Sequence, residues 1–323
     1  MDNTLIDLKD RRILAALDFR ARMPLAELAK ITGLSKQSLD YRIKSLVKRG
    51  IIEGFFPVIN SPKLGYIYCR SFVQFKSISP EQEMELRKDI FKNKKLFWAF
   101  SLGGTFDYLL VYWVRNLREF EEINIGFQEK FGGIIRNKED NAITNVIHLS
   151  HKCFLEKNKI ERFDLEESDE RLEIDQNDKK IIKVLASDAR LPLVQMSEKT
   201  GISPKVIAYR IKKMEENGVI AAYRPIINYT KLGLTYFKVF FNFDLSKRKK
   251  FDEFQKYLIN HPKVIFLVHG IGMLGNLDVE LLAESNQDFF GFIQEAKRRF
   301  PEFITDYQYL IYTQTIKVNY APF

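Results

Sequence analysis

Apolar residues near the N-terminus recur at helical spacing in short blocks. Leu8, Ile13, Leu14 and Leu17 predict a first helix over about 9–19. Leu25, Leu28, Ala29 and Ile31 predict a second, and Gly33 can supply the positive φ that ends it. Ser35 is a good N-cap for a third, in which Leu39, Ile43, Leu46 and Val47 share one side while Gln37, Tyr41, Lys44 and Lys48 project from the other. Small residues at Ala29 and Gly33 let the second and third helices cross closely. Two steeply crossed helices with a polar, basic outer face are what a helix-turn-helix needs to enter a DNA major groove. An ordinary helical hairpin with a solvated charged face would show the same pattern.

A second copy of the pattern separates these readings. Residues 192–218 repeat 24–50 without a gap: Gly33 and Gly201, Tyr41 and Tyr209, Arg42 and Arg210, and Gly50 and Gly218 each lie 168 apart. The match runs back through Asp10/Asp178, Ile13/Ile181 and Ala21-Arg22/Ala189-Arg190, and forward through Pro57/Pro225 and Lys63-Leu64-Gly65/Lys231-Leu232-Gly233. A whole unit is duplicated. After the helices, an extended segment starting at Ile51 and Ile52 predicts a short wing and a connecting strand.

Strand-like and helical runs then alternate: strand 66–77, helix 80–93, strands 96–102 and 106–114, helix 117–131 and strand 142–150. The second copy reads strand 236–244, helix 247–260, strands 264–270 and 276–283, helix 286–300 and strand 307–318. The order βαββαβ predicts a ferredoxin-like antiparallel sheet with both helices on one face and the other face in need of a partner. Those open faces are expected to pack on each other. Asp107 and Asp278 differ by 171, which predicts a slip of three residues in the preceding loop. The acid-rich stretch 165–175 reads as a charged linker with some helix. The chain is thus expected to be α+β, two winged helix-turn-helix domains (1–65 and 174–233) alternating with two ferredoxin-like domains (66–152 and 234–323), with a linker at 153–173.

Composition narrows the partner. Lys and Arg number 51 against 42 Asp and Glu, a formal charge of +9 that favours a polyanion. No apolar run approaches the roughly 18 residues of a membrane span, and the segment MDNTLIDLKDRR has no signal-peptide core, so a cytoplasmic protein without membrane contact is expected. Two cysteines, Cys69 and Cys153, cannot build a disulfide framework. No phosphate loop, paired Cys-x2-Cys or nucleophile elbow is present. His148, His151 and Cys153 crowd one region, but strand alternation sends 148 and 151 to opposite faces, so neither a metal nor a cofactor is expected.

The Asp-x2-Ile-Leu helix, the Ala-Arg-x-Pro-Leu entry, the Gly-x-Ser turn, the Arg-Ile-Lys helix and the Gly-Ile-Ile exit resemble the Lrp/AsnC family of prokaryotic transcription regulators, twice over. The resemblance implies a sequence-specific regulator that binds double-stranded DNA, with a βαββαβ domain that pairs and senses a small effector such as an amino acid. Fusion of two units implies an internal pseudo-dimer, open to further homo-oligomerisation, with recognition helices about one DNA turn (~34 Å) apart. Candidate DNA contacts are Ser35, Lys36, Gln37, Ser38, Tyr41, Arg42, Lys44 and Lys48 in the first copy, and Ser203, Lys205, Tyr209, Arg210, Lys212 and Lys213 in the second. Arg42 and Arg210 could instead form ion pairs with Asp10 and Asp178. Gly104-x2-Asp107 and Gly275-x2-Asp278 match a family turn near the effector site, so Gly103, Gly104, Asp107, Gly275 and Asp278 are candidates there; turn-capping is the alternative for the two carboxylates.

A sequence-tolerant nucleoid protein is an alternative function. So is a siroheme decarboxylase, an enzyme of the same architecture, although the second strands, LFWAFSLGG and VIFLVHGIG, lack the His-Asn-Tyr-like segment those enzymes share. On that ground no catalytic residue, and no enzyme, is expected.

Overall fold

The computed structural model describes residues 6–154, 160–166 and 170–323. The first copy contributes α1 (Leu8–Leu17), α2 (Leu25–Thr32), α3 (Lys36–Lys48), β1 (Ile52–Ile59), β2 (Ile67–Phe75), α4 (Pro80–Lys92), β3 (Leu96–Gly103), β4 (Tyr108–Val114), α5 (Leu117–Phe131) and β5 (Ile135–Leu149). A strand β6 (Arg162–Glu166) follows. The second copy contributes α6 (Gln176–Ser187), α7 (Leu193–Thr200), α8 (Pro204–Glu216), β7 (Ile220–Ile227), β8 (Thr235–Phe243), α9 (Arg248–Asn260), β9 (Val264–Ile271), β10 (Leu277–Ala283), α10 (Asn286–Arg299) and β11 (Ile304–Val318). These elements gather into two units, each drawing on both copies: Met1–Asn60, Leu149–Phe163 and Leu172–Leu234 form one, and Ser61–His148, Asp164–Arg171 and Thr235–Phe323 the other.

In the first unit each trio of helices closes on its own apolar core, Ile13, Leu17, Leu28, Leu39, Ile43 and Leu46 in one copy and Ile181, Leu185, Met196, Ile207, Ile211 and Met214 in the other. Val47, expected on the buried side of α3, is 43% exposed. The extended segments after the helices do not fold back as separate wings. β1 and β7 pair antiparallel with each other, Phe55 opposite Pro225 and Pro57 opposite Tyr223. Reciprocal hydrogen bonds flank this ribbon: the N–H of Ala21 donates to Tyr223 O at 2.9 Å and that of Ala189 to Phe55 O at 2.9 Å. Arg22 Nη1 donates to Ala189 O at 2.5 Å, and Arg190 returns the bond to Ala21 O. The repeated Ala-Arg dipeptide therefore ties each helical trio to the other.

The second unit holds one sheet in the order β2-β4-β3-β11-β8-β10-β9-β5-β6, with β2 also paired to β5, so eight of its strands close on themselves. Each copy keeps the ferredoxin-like order, β5-β2-β4-β3 and β11-β8-β10-β9, and the two join at both edges: Tyr312 lies opposite Leu102 and Val146 opposite Val268. Closure leaves no unpaired edge in those eight strands. Alternation sends Cys69 and Val73 of β2 toward α4 and α5, where Leu86, Ile90, Phe120 and Phe127 complete a core. Tyr68 and Phe72 point the other way, into a core shared with the second copy, and the rings of Phe72 and Phe240 meet edge-on at 5.5 Å. Lys317 of β11 reaches across to cap α4, its Nζ donating to the carbonyls of Ile90, Phe91 and Asn93 at 3.0, 3.1 and 2.5 Å.

Three expectations are corrected. β5 starts at Ile135, before the expected 142, because the polar run 136–141 pairs through its backbone with β2. Part of the charged linker is β6, in which Leu165 is buried and Phe163 meets Phe19 ring to ring at 5.0 Å. The slip between copies is one residue, not three. Asp107 N donates to Val73 O and its Oδ2 accepts from Phe75 N at 2.7 Å, whereas Asn276 N donates to Phe241 O and its Oδ1 accepts from Phe243 N at 2.9 Å. Asn276 is therefore the counterpart of Asp107.

Candidate nucleic-acid interface

The helices expected to read DNA are α3 and α8. Gly33 and Gly201 adopt left-handed φ of 67° and 71°, ending α2 and α7 and freeing the chain to turn into the next helix. Ser35 Oγ then accepts from Ser38 N at 3.2 Å and caps α3, while Ser203 caps α8 without such a bond and Pro204 starts the helix. With Leu39, Ile43 and Leu46 turned inward, Lys36, Gln37, Tyr41, Lys44 and Lys48 are all exposed; Lys205, Tyr209, Lys212 and Lys213 are exposed on α8. Ser38 is half-buried and Ser203 exposed. Tyr41 and Tyr209 stand 74% and 67% exposed at matched positions, large aromatic groups left in solvent on a basic face.

Arg42 and Arg210 are held differently. Arg42 Nη1 lies 2.8 Å from Asp10 and 2.9 Å from Asp7, and Arg210 Nη1 lies 2.9 Å from Asp178 and 2.8 Å from Asp175. Each arginine thus ties its recognition helix to the start of the first helix of its trio, and the ion-pair alternative describes both. Bonds to Asp10 and Asp178 raise the two guanidiniums above their ordinary range. Burial pushes the Asp7 carboxyl up, but the Asp10 N–H and Arg42 hold it below the usual value. The Asp178 N–H and Arg210 do the same for Asp175.

Lys44 pairs with Asp40 at 2.6 Å and Lys212 with Glu216 at 3.6 Å, exposed contacts that a phosphate can displace at little cost. Glu215, at the position of Val47, accepts from Tyr223 Oη at 2.7 Å. The outer end of α8 is accordingly more acidic than that of α3.

A family model described as winged helix-turn-helix DNA-binding matches residues 6–53 and 174–221, the two helical trios. The HTH-type transcriptional regulator LrpA of Pyrococcus horikoshii is 36% identical over 134 residues, which is 41% of this chain and 92% of that one. The proline dehydrogenase transcriptional activator of Rhodobacter capsulatus is 34% identical over 121 residues, 37% of this chain and 78% of that one. The chain belongs to the Lrp/AsnC family. Its type is that of the family's DNA-binding regulators, with the single unit present twice. Among the described residues no helix is long and apolar enough to cross a membrane.

A solved structure spans the whole chain. The siroheme decarboxylase NirDL superposes with a TM-score of 0.61 over 97% of this chain and 93% of that one, at 14% identity. The expectation that the chain is not an enzyme is corrected by this match: the full tandem architecture is shared with an enzyme, so the fold gives no ground for setting catalysis aside.

The five residues matched to an effector turn have different surroundings. Asp107 caps a turn, and Asp278 lies fully buried on β10 beside Arg70 and Lys238. A Cβ on Gly104 would stand 2.9 Å from Leu310 and one on Gly275 2.9 Å from Phe241 O, so these glycines serve close packing; Gly103 lies against Ile311 and Thr313. A cleft of about 600 Å³ lined by Tyr257, His261, Glu295 and Arg299 includes none of the five. The two Gly-x2-Asp motifs are not equivalent in the fold, because the one-residue slip places Leu109, not Asp107, at the strand position of Asp278. His151, read beside Cys153, instead bonds Asp18 through Nδ1 at 2.9 Å and Tyr229 through Nε2 at 2.6 Å.

Proposed function

We propose that the chain is a site-specific transcription regulator that works as an internal pseudo-dimer, the outward faces of α3 and α8 contacting DNA. The observation that carries this is the matched pair of exposed tyrosines, Tyr41 and Tyr209, each flanked by lysines on a helix whose other face is core. Gln37, Ser38, Tyr41 and Lys44 would read or position the groove in one half, and Lys205, Tyr209 and Lys212 in the other. α3 is the stronger reader, since Glu215 and Glu216 repel phosphate from α8. Selection of bound sequences from random DNA, followed by anisotropy titrations, tests this. Lys44→Ala with Lys48→Ala should weaken binding more than Lys212→Ala with Lys213→Ala, each lost phosphate contact lowering the salt slope by about 0.9. Equal losses would remove the asymmetry, and no enriched sequence would favour a nucleoid protein.

An amino-acid effector is tested separately by melting curves. A true ligand at about 100 times its Kd adds ~2.7 kcal/mol, and no shift from any amino acid removes it from the proposal. The whole-chain match to NirDL favours a second reading, action on a tetrapyrrole. Its test is carbon dioxide release from siroheme supplied to the purified chain, with none released counting against it.

A further inference from the structure

Where the two copies meet, many contacts are reciprocal and would serve equally if either copy paired with another of its own kind. The bonds of Arg22 to Ala189 O and of Arg190 to Ala21 O are of this sort. Two buried charged groups break the pattern. In the second unit Arg70 Nη2 lies 2.5 Å from Asp278 Oδ2, and Lys238 Nζ lies 3.2 Å from Asp278 and 2.7 Å from Glu280. All four side chains are buried, and Tyr312 Oη donates to Glu280 at 3.0 Å.

Strand register identifies the counterparts. Phe72 faces Leu109 as Phe240 faces Asp278, and Arg70 faces Val111 as Lys238 faces Glu280. The first copy therefore brings a cation and no acid to this place, and the second brings a cation and two acids. Paired together they balance, two cations against two carboxylates. Two first copies would bury a pair of arginines alone, and two second copies would bury two lysines among four carboxylates. A low-dielectric interior penalises either surplus.

The first unit carries an independent instance. Asp18 accepts from Arg224 Nη2 at 2.7 Å and from Nε at 3.1 Å, and both residues are buried. One repeat away stand Ala186 and Phe56. A like pair would set Asp18 against phenylalanine, or Arg224 against alanine.

We propose that the two halves are charge-coded for each other: the first half accepts only a partner presenting carboxylates where Asp278 and Glu280 stand, namely the second half, in the same chain or in another copy. The inference rests on the internal pairing proposed above. Its readouts are melting and association, not DNA binding, so the two can fail separately.

The test co-expresses two differently tagged full-length chains, one Arg70→Asp and the other Asp278→Arg. Each alone sets like charges together and should melt well below the parent. Mixed, they can exchange halves so that the substituted first half meets the substituted second half and the unaltered halves meet each other. The mixed two-chain species should be recovered by sequential tag capture at about tenfold or more over two parent chains, the ratio that ~1.4 kcal/mol of preference gives. Arg70→Asp with Asp278→Arg in one chain should regain most of the melting temperature that the single changes lose, which keeps the test decisive where the single variants do not fold. No enrichment of the mixed species, a double variant no more stable than the worse single one, or single variants as stable as the parent would each overturn the proposal.

Discussion

Asp18 shows how far a single buried charge can be relied on. Burial pushes its carboxyl up, but Arg224 and then His151 hold it well below the usual carboxylate range. Glu280 is likewise pushed up by burial and held down by Lys238 and the hydroxyls of Tyr236 and Tyr312. Both values are depressed by folding, so the stability they contribute is complete above the unfolded values near pH ~4 and is lost as pH falls below them. The melting temperature should therefore drop on the acid side of pH ~4, and less steeply in Asp18→Ala, which lacks one of the two groups. At neutral pH the same substitution leaves Arg224 buried without its carboxylate and should cost about 3–5 kcal/mol in urea unfolding. At this scale the sequence was partly legible. The pairing of Arg42 with Asp10 could be foreseen because Arg210 and Asp178 repeat it at the same spacing. The pairing of Arg70 with Asp278 could not, because it depends on how strands far apart in the chain align.

Elements with a strong period were the most readable. The ten α-helices among the described residues lie close to where apolar spacing put them, since a helix buries one stripe of its own residues whatever its neighbours do. Strands were harder. β5 begins in a run of charged and amide residues, β6 hides in an acidic segment, and β1 pairs with β7 where a wing was expected; each depends on a partner strand that no local pattern reveals. The turns inside the helical trios offer a clean measurement. Among the described residues no atom beyond the adjoining backbone lies within 4 Å of a Cβ built on Gly33 or Gly201, so alanine there meets no steric obstacle and pays only for its left-handed φ. Gly33→Ala and Gly201→Ala should each cost about 1–2 kcal/mol by thermal unfolding. A loss near zero would mean that the turn relaxes to another conformation, and DNA affinity should then fall without loss of stability.

At the scale of the molecule the duplication was plain in the sequence, and the joining of both copies into one closed sheet was not, because edge pairing leaves no periodic trace. That closure sets a schedule for synthesis. β3 is made early and pairs with β4 on one side, yet its neighbour on the other side is β11, more than 200 residues on, and Asn319 N donates to Phe97 O at 2.8 Å. At roughly 5–20 residues per second, the second copy takes on the order of 10–30 s to follow the first out of the ribosome. For that interval the aromatic inner face around Tyr68, Phe72 and Trp113 lacks the cover that Phe240, Val268 and Leu310 of the second copy provide. A chain ending before Ile304 would lack β11, and with it Leu310 and Tyr312 of that core and the strand that pairs with the far edge of β3, and should be recovered in the insoluble fraction or bound to chaperones, while the full chain is not. The nascent first half is thus a client that needs shielding until β8, β9 and β11 of the second copy have emerged.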